Sequence, residues 1–197
     1  MTPIIIDLEW NQPLKGRSRV EGLADEIIQI GAAKIDLEGN VLDTFSCIIR
    51  PVYYTKLNKD VAELTLLTDE DLAGGIPFAD ALDEFRAWCG EDFVFLSWSA
   101  SDGYVLLRNC QKFEYPADWI PDIYDAQLMF DDMEMQEGRT WPLNYALYHF
   151  QEKPDGAHNA LADVLSTALV LKHLDLADGL SDDYFLCGPE EPEEQDE

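Results

Sequence analysis

Short apolar stretches separated by polar turns fill the first fifty positions and indicate β-strands. Two further stretches of this kind occur later in the chain. The five predicted strands cover residues 4–10, 26–36, 41–49, 93–97 and 119–123. The turn signal Glu38-Gly39-Asn40 separates the second strand from the third, so we expect the first three strands to form an antiparallel meander.

Helical periodicity replaces the strand pattern from position 58 onward. The predicted helical segments cover residues 58–67, 68–73, 78–90, 101–110, 125–133, 139–150 and 156–174. Thr68 is predicted to cap the second segment, and Ser101 or Asp102 the fourth. The first three strands have hairpin links, and the later strands alternate with helices. This order predicts an α/β fold with one mixed five-stranded sheet flanked by helices.

The length of 197 residues predicts one domain, which we place at residues 1–180. Residues 181–197 end in a Pro/Glu-rich run with six acids after Cys187, typical of a disordered acidic tail that could bind a protein partner. No apolar run approaches the roughly 20 residues of a membrane span, and the N-terminus lacks the basic region of a signal peptide. The scattered cysteines indicate reduced thiols in a cytoplasmic protein.

The net charge of −27 limits the class of partner. Such a surface repels long nucleic acid, although it allows a short strand to enter a single metal-filled cleft. Three of the thirteen basic residues, Lys15, Arg17 and Arg19, lie in the polar loop after the first strand. They could contact substrate phosphates, or they could be ordinary charges of a solvated loop.

Two acids interrupt the first apolar stretch, at Asp7 and Glu9. Side chains alternate along a strand, so both carboxylates project from the face that carries Ile5. If that strand end is buried, the two like charges require a cation, and an all-oxygen pair favours Mg²⁺ or Mn²⁺. The alternative is a polar strand end exposed to solvent.

Two more acids stand at the ends of buried elements, Asp102 after the fourth strand and Asp163 early in the last long helix. His158 lies five residues before Asp163. Strand ends and the helix starts beside them converge on one crevice in an open α/β sheet. Four carboxylates meeting there suit two divalent ions, and a neutral imidazole beside a water molecule can act as a general base. This chemistry fits phosphodiester hydrolysis.

The ordered set Asp7-x-Glu9, Asp102 and His158-x-x-x-x-Asp163 resembles the DEDDh 3′→5′ exonucleases, which have the ribonuclease H-like fold. The resemblance extends from about Pro3 to Leu174 and includes Glu26–Gly31 and Glu63–Thr68. It implies that the four acids hold two Mg²⁺ or Mn²⁺ ions and that His158 is the general base. It also implies a pocket for the 3′-terminal nucleotide, lined by Leu8, Trp10 and Leu67.

Two departures from the family pattern bear on the substrate. Trp98 stands four residues before Asp102, where DNA-proofreading and RNA-maturation members usually carry Asn. The Trp-Ser-x-x-Asp form is closer to the exoribonuclease branch and favours the 3′ end of short single-stranded RNA over DNA. Leu66 replaces a glycine that is usual in the third segment. There are two alternatives. One is a DNA exonuclease of proofreading or repair type, and the other is a catalytically silent interaction module with a nuclease fold.

Overall fold

A computed structural model describes residues 1–153, 159–181 and 185–186. Its sheet contains six strands in the order β3-β2-β1-β4-β5-β6. The strands are β1 Thr2–Asn11, β2 Glu26–Ile35, β3 Val41–Ile48, β4 Phe93–Ser97, β5 Ile123–Asp125 and β6 Phe185–Leu186. Strands β1, β2 and β3 are antiparallel, whereas β4 and β5 run parallel to β1. The predicted mixed sheet is therefore confirmed, and a two-residue antiparallel strand adds to its edge.

Eight helices are present in the described part of the chain. They are α1 Lys59–Thr65, α2 Asp69–Gly74, α3 Phe78–Cys89, α4 Ser101–Lys112, α5 Ala126–Phe130, α6 Leu143–His149, α7 Ala160–Leu171 and α8 Leu176–Gly179. The predicted cap of α2 is confirmed, because the Thr68 side chain accepts a hydrogen bond from the backbone N–H of Asp71. A π-helical turn, Asp131–Met135, continues α5. None of the described helices is long and apolar enough to cross a membrane.

Prolines explain two boundaries that were predicted wrongly. The fifth strand was expected at residues 119–123 but starts at Ile123, because Pro121 cannot donate a hydrogen bond to the ladder. The helix expected from Arg139 starts at Leu143, because the residue before Pro142 is disfavoured in helical conformation. Of the predicted acidic tail, residues 181–197, the structure describes Ser181 and the two residues of β6.

Apolar side chains fill both faces of the sheet and form two cores. On one face, Phe85 of α3 and Leu106 of α4 belong to the same core as Ile4 of β1. On the other face, Ile5 of β1 belongs to a core with Val164 of α7. Burial on both faces fixes which side chains of β1 point toward α7, because a register slip of one residue would reverse them.

Candidate active site

The floor of the site is the carboxyl half of β1, where Asp7 and Glu9 follow Ile5 at alternate positions. They project from the face of β1 that is covered by α7, as strand alternation predicts. The register of β1 against β2 shifts between Glu9 and Trp10, which marks a β-bulge directly after the second carboxylate. The extra residue is Ile28 of β2, and Trp10 lines the same cleft as Glu9.

A third carboxylate comes from α7, where Asp163 lies in the first turn. Asp7, Glu9 and Asp163 each offer one oxygen, and these three oxygens all lie within 4.8 Å of one another. The positive end of the helix macrodipole favours anionic side chains at this position. The structure thus brings together three of the four predicted carboxylates in a cluster with metal-site dimensions.

Strand β2 holds α7 above these carboxylates through the residues that pair with Asp7 and Glu9. Gly31 pairs with Asp7, and a Cβ atom at this position would lie 2.3 Å from the carbonyl carbon of Ala160. Gln29 pairs with Glu9, and its side-chain oxygen accepts a 3.4 Å hydrogen bond from the N–H of Ala160. The start of α7 is therefore fixed by a direct backbone approach and a buried polar contact.

Asp102 reaches the site from the first turn of α4 and is buried. Its Oδ1 accepts a 2.9 Å hydrogen bond from the backbone N–H of Leu8, between the two acids of β1. The predicted capping role is wrong, because Ala100 is the N-cap residue of α4 and makes no side-chain cap hydrogen bond. The Asp102 side chain instead joins α4 to β1.

The four acids line a cleft of about 460 Å³ together with the predicted pocket residues Leu8 and Trp10. Leu67 is not among the described residues that line it, and Val61 and Leu64 of α1 form that wall. Helix α1 ends at Thr65, and its C-cap residue, Leu66, has a left-handed backbone with φ of 60°. This local turn changes the chain direction before Leu67, and a leucine gives no sequence signal for it.

Sequence reasoning also missed four polar residues of the cleft, Gln12, Asp60, Ser99 and Ser101. Ser99 has a φ of 126°, a conformation that costs energy for a non-glycine residue and is concentrated at functional sites. Its carbonyl oxygen accepts a 2.6 Å hydrogen bond from the hydroxyl of Ser97. The serines that follow β4 were the available signal, since polar residues after a buried strand often belong to a site.

Burial and mutual repulsion raise the pKa of the clustered acids. The pKa of Asp7 is raised well above its ordinary value, mainly by burial and then by the charges of Asp102, Glu9 and Asp163. The pKa of Glu9 rises to about 7, mainly by burial and then by Asp163 and Asp102. Burial also raises the pKa of Asp102 to about 7, against the opposing effect of the Leu8 N–H.

These shifts come from burial and from repulsion between neighbouring carboxylates, and the cluster fits a hard divalent cation. All its donors are carboxylate oxygens, which Mg²⁺ and Mn²⁺ prefer. A bound cation would favour the charged form of every acid in the cluster. The three described cysteines are free, and none belongs to this cluster.

The sequence model of the exonuclease family, RNase_T, matches residues 4–171 of the chain. The chain belongs to the exonuclease family. The match includes all four acids, the residues of β2 that hold α7, and His158. His158, the predicted general base, lies outside the described residues.

Two relatives of this exonuclease illustrate its sequence similarity. KapD of Bacillus subtilis, a probable 3′-5′ exonuclease, is 24% identical over 190 residues, which are 96% of this chain and 89% of KapD. The PolC-type DNA polymerase III of Oceanobacillus iheyensis is 26% identical over 147 residues. That match covers 75% of this chain but 10% of the polymerase.

Solved structures at lower identity share the fold of this exonuclease. The nuclease domain of 3′hExo, a DEDDh family member bound to rAMP, superposes with a TM-score of 0.74 at 20% identity. The superposition covers 90% of this chain and 92% of that domain. Exonuclease I of E. coli, in complex with a dT13 oligonucleotide, gives a TM-score of 0.68 at 18% identity and covers 87% and 40% of the two chains.

The raised pKa values predict how the stability of the metal-free exonuclease depends on pH. A carboxyl group with a higher pKa in the folded state binds more protons folded than unfolded, so stability falls as pH rises between the two pKa values. For Glu9 this window runs from about 4.5 to about 7. We expect the melting temperature in EDTA to fall from pH 5 to pH 8, and saturating Mn²⁺ to restore it at pH 8.

A matched pair of variants distinguishes the effect of the cluster on the pH dependence of stability from the effect of general charge repulsion in an acidic protein. Glu9→Gln is expected to flatten the pH dependence, whereas Glu91→Gln removes an equal charge before the start of β4, outside the cleft, and is expected to preserve it. Equal slopes for the two variants in EDTA would show that the cluster does not cause the effect.

Proposed function

We propose that this exonuclease removes nucleotides from the 3′ end of short single-stranded RNA, with two Mg²⁺ or Mn²⁺ ions in each active site. The observation that carries the proposal is one cleft in which a buried carboxylate, Asp102, and three half-buried carboxylates lie beside an apolar wall. The carboxylates suit the phosphate end of a terminal nucleotide through bound cations, and the wall suits its nucleoside.

Asp7, Glu9, Asp102 and Asp163 would hold the ions. When bound, divalent ions lower the pKa of the attacking water and stabilise the charge that develops on the phosphoryl oxygens. Asp102 also fixes the geometry of β1 through the N–H of Leu8, so the three elements β1, α4 and α7 hold their carboxylates at one point. A rigid arrangement of this kind lowers the reorganisation needed during reaction.

The protein side chains have separate tasks in this scheme. Leu8, Trp10, Val61 and Leu64 orient the terminal nucleoside by apolar and stacking contacts. His158 accepts the proton of the attacking water as a neutral general base, a role suited to an imidazole near pH 7. The electrons of the broken P–O bond remain on the 3′ oxygen of the preceding nucleotide, which takes a proton from solvent water and leaves as a hydroxyl group.

RNA is the proposed substrate because Trp98-Ser99 precedes Asp102, as in the exoribonuclease branch. A solved 3′-exonuclease with the same fold recognises the 3′ end of a histone mRNA stem-loop. DNA is the second candidate, favoured by the sequence similarity to a PolC-type DNA polymerase III.

The test uses 5′-labelled single strands of RNA and DNA with the same sequence and a free 3′ hydroxyl. We expect a ladder of products that shortens from the 3′ end, no product in EDTA, and a kcat/KM at least several-fold higher for RNA. Release of the label as a mononucleotide before shortened strands appear, or cleavage of a circular strand, would contradict 3′→5′ trimming. A higher kcat/KM for DNA would select the second candidate.

A further inference from the structure

A second cleft of about 270 Å³ adjoins the active site. The loop after β1 and residues 53–56 form its walls. Gln12, the first residue after β1, lines both this cleft and the active-site cleft. The two clefts are therefore neighbours at the carboxyl end of β1. We call it the basic cleft, after Arg17 and Lys56, which line it.

The charge of the basic cleft is opposite to that of the protein. The chain has 40 acids against 13 Lys and Arg, and five acids line the active-site cleft alone. No described carboxylate lines the basic cleft, and neither Arg17 nor Lys56 forms a salt bridge with a described acid. Two cations that pair with no acid in the described part of so acidic a chain indicate an anionic ligand.

Buried polar contacts fix the wall that carries Lys56. The buried carboxylate of Glu26 accepts hydrogen bonds from three successive backbone N–H groups, at residues 52–54. The side-chain amide of Asn11, the last residue of β1, donates to the carbonyl oxygens of Tyr54 at 2.6 Å and Lys56 at 2.9 Å. The strand that carries the catalytic acids therefore also positions the backbone at Lys56.

A second set of contacts fixes the loop that carries Arg17. The hydroxyl of Tyr54 accepts from the N–H of Val20 at 3.0 Å and donates to the carbonyl of Leu23 at 2.6 Å. Gln12 donates to Asp25 at 2.7 Å, which ties the start of the loop to its end. The walls of the basic cleft are thus attached to each other.

We propose that the basic cleft binds a phosphodiester of the substrate strand upstream of the scissile linkage, through Arg17 and Lys56. Tyr53, 40% exposed, lines the same cleft and offers an aromatic surface to an adjoining base. The inference rests on the proposed function, because it takes the neighbouring cleft as the site of the 3′-terminal nucleotide. It predicts that substrates longer than the terminal nucleotide gain affinity from a specific internal phosphate.

The test compares two substrates that differ in whether they can reach the basic cleft. A p-nitrophenyl ester of a nucleoside 5′-monophosphate occupies the active site alone, whereas a single-stranded pentanucleotide extends beyond it. The measured quantity is the kcat/KM for the pentanucleotide divided by that for the ester. We expect Arg17→Gln/Lys56→Gln to lower this ratio about 10-fold or more, the effect of losing hydrogen bonds to a charged group.

The matched control is Lys153→Gln/Lys172→Gln, which removes the same charge outside both clefts. We expect it to change the ratio less than twofold. A second arm replaces single upstream phosphates of the pentanucleotide by neutral methylphosphonates. At one linkage the replacement should lower kcat/KM about 10-fold for the wild type and for the control. For Arg17→Gln/Lys56→Gln, whose kcat/KM is already low, the same replacement should cause little additional loss.

Each result has a distinct meaning for the two proposals. If Arg17→Gln/Lys56→Gln left the ratio unchanged, the proposed role of the basic cleft would be wrong, and the proposed exonuclease activity would stand. The basic cleft would also be overturned if, at every linkage, the loss of kcat/KM from the neutral replacement multiplied with the loss from Arg17→Gln/Lys56→Gln. The cations and the phosphate would then act independently. Failure of the wild type to hydrolyse both substrates would overturn the proposed function itself.

Discussion

Replacement of Asp7 by Asn is expected to abolish nuclease activity and at the same time to stabilise the metal-free protein. Asn keeps the shape of the side chain but removes a half-buried charge that is repelled by Glu9, Asp102 and Asp163. Asn also removes a ligand of the proposed metal ions, which supply several kcal/mol of transition-state stabilisation. We therefore expect kcat to fall by about 10³-fold or more. Loss of the repulsion raises the melting temperature in EDTA at pH 8.

The matched control for this prediction is Asp118→Asn, an exposed position before β5 and outside the cleft. It should preserve both the activity and the melting temperature. Calorimetric titration with Mn²⁺ completes the comparison, since weakened binding is expected for Asp7→Asn alone. Retention of a tenth of the wild-type kcat by Asp7→Asn, or a lower melting temperature in EDTA, would contradict the role given to this carboxylate.

Replacement of His158 by Ala is expected to slow turnover by about 10²–10⁴-fold, the effect of losing a general base, while Mn²⁺ binding is retained. The reason is that the imidazole transfers a proton in the proposed mechanism and holds no ion. The acid limb of the rate–pH profile, expected near the ordinary histidine pKa of about 6.5, should flatten in the variant.

His173→Ala serves as the control, because His173 lies beyond α7 and contacts Glu152 and Phe150 outside the cleft. Its kcat should stay close to that of the wild type. Weakened Mn²⁺ binding in His158→Ala would make the histidine a ligand. An acid limb that persists in this variant would show that another group than His158 causes the limb.

Strand alternation was sufficient to predict the floor of the site. The apolar run before Asp7 predicted a buried strand, and the period of two placed Asp7 and Glu9 on the face of Ile5, where the structure has them. The convergence of Asp102 and Asp163 followed from their positions after a strand and at a helix start. These arguments need only the direction of backbone elements, which local sequence determines well.

Contacts between distant segments were not predictable in the same way. Gln29 and Gly31 hold α7, but an amide and a glycine within an apolar strand give no indication of the partner that they will meet. The left-handed conformation at Leu66 turns the chain before Leu67, which does not line the described cleft, and leucine does not favour that conformation. Only tertiary packing determines these features, so they appear in the structure first.

The close approach at Gly31 has a consequence for how this sequence can change. The backbone of β2 meets the backbone of α7 there, so no side chain of variable size separates the helix from the sheet. Core residues elsewhere can be exchanged for others of similar volume at modest cost. A chain that keeps glycine at position 31 can therefore replace much of its interior while Asp163 stays at the same height above β1.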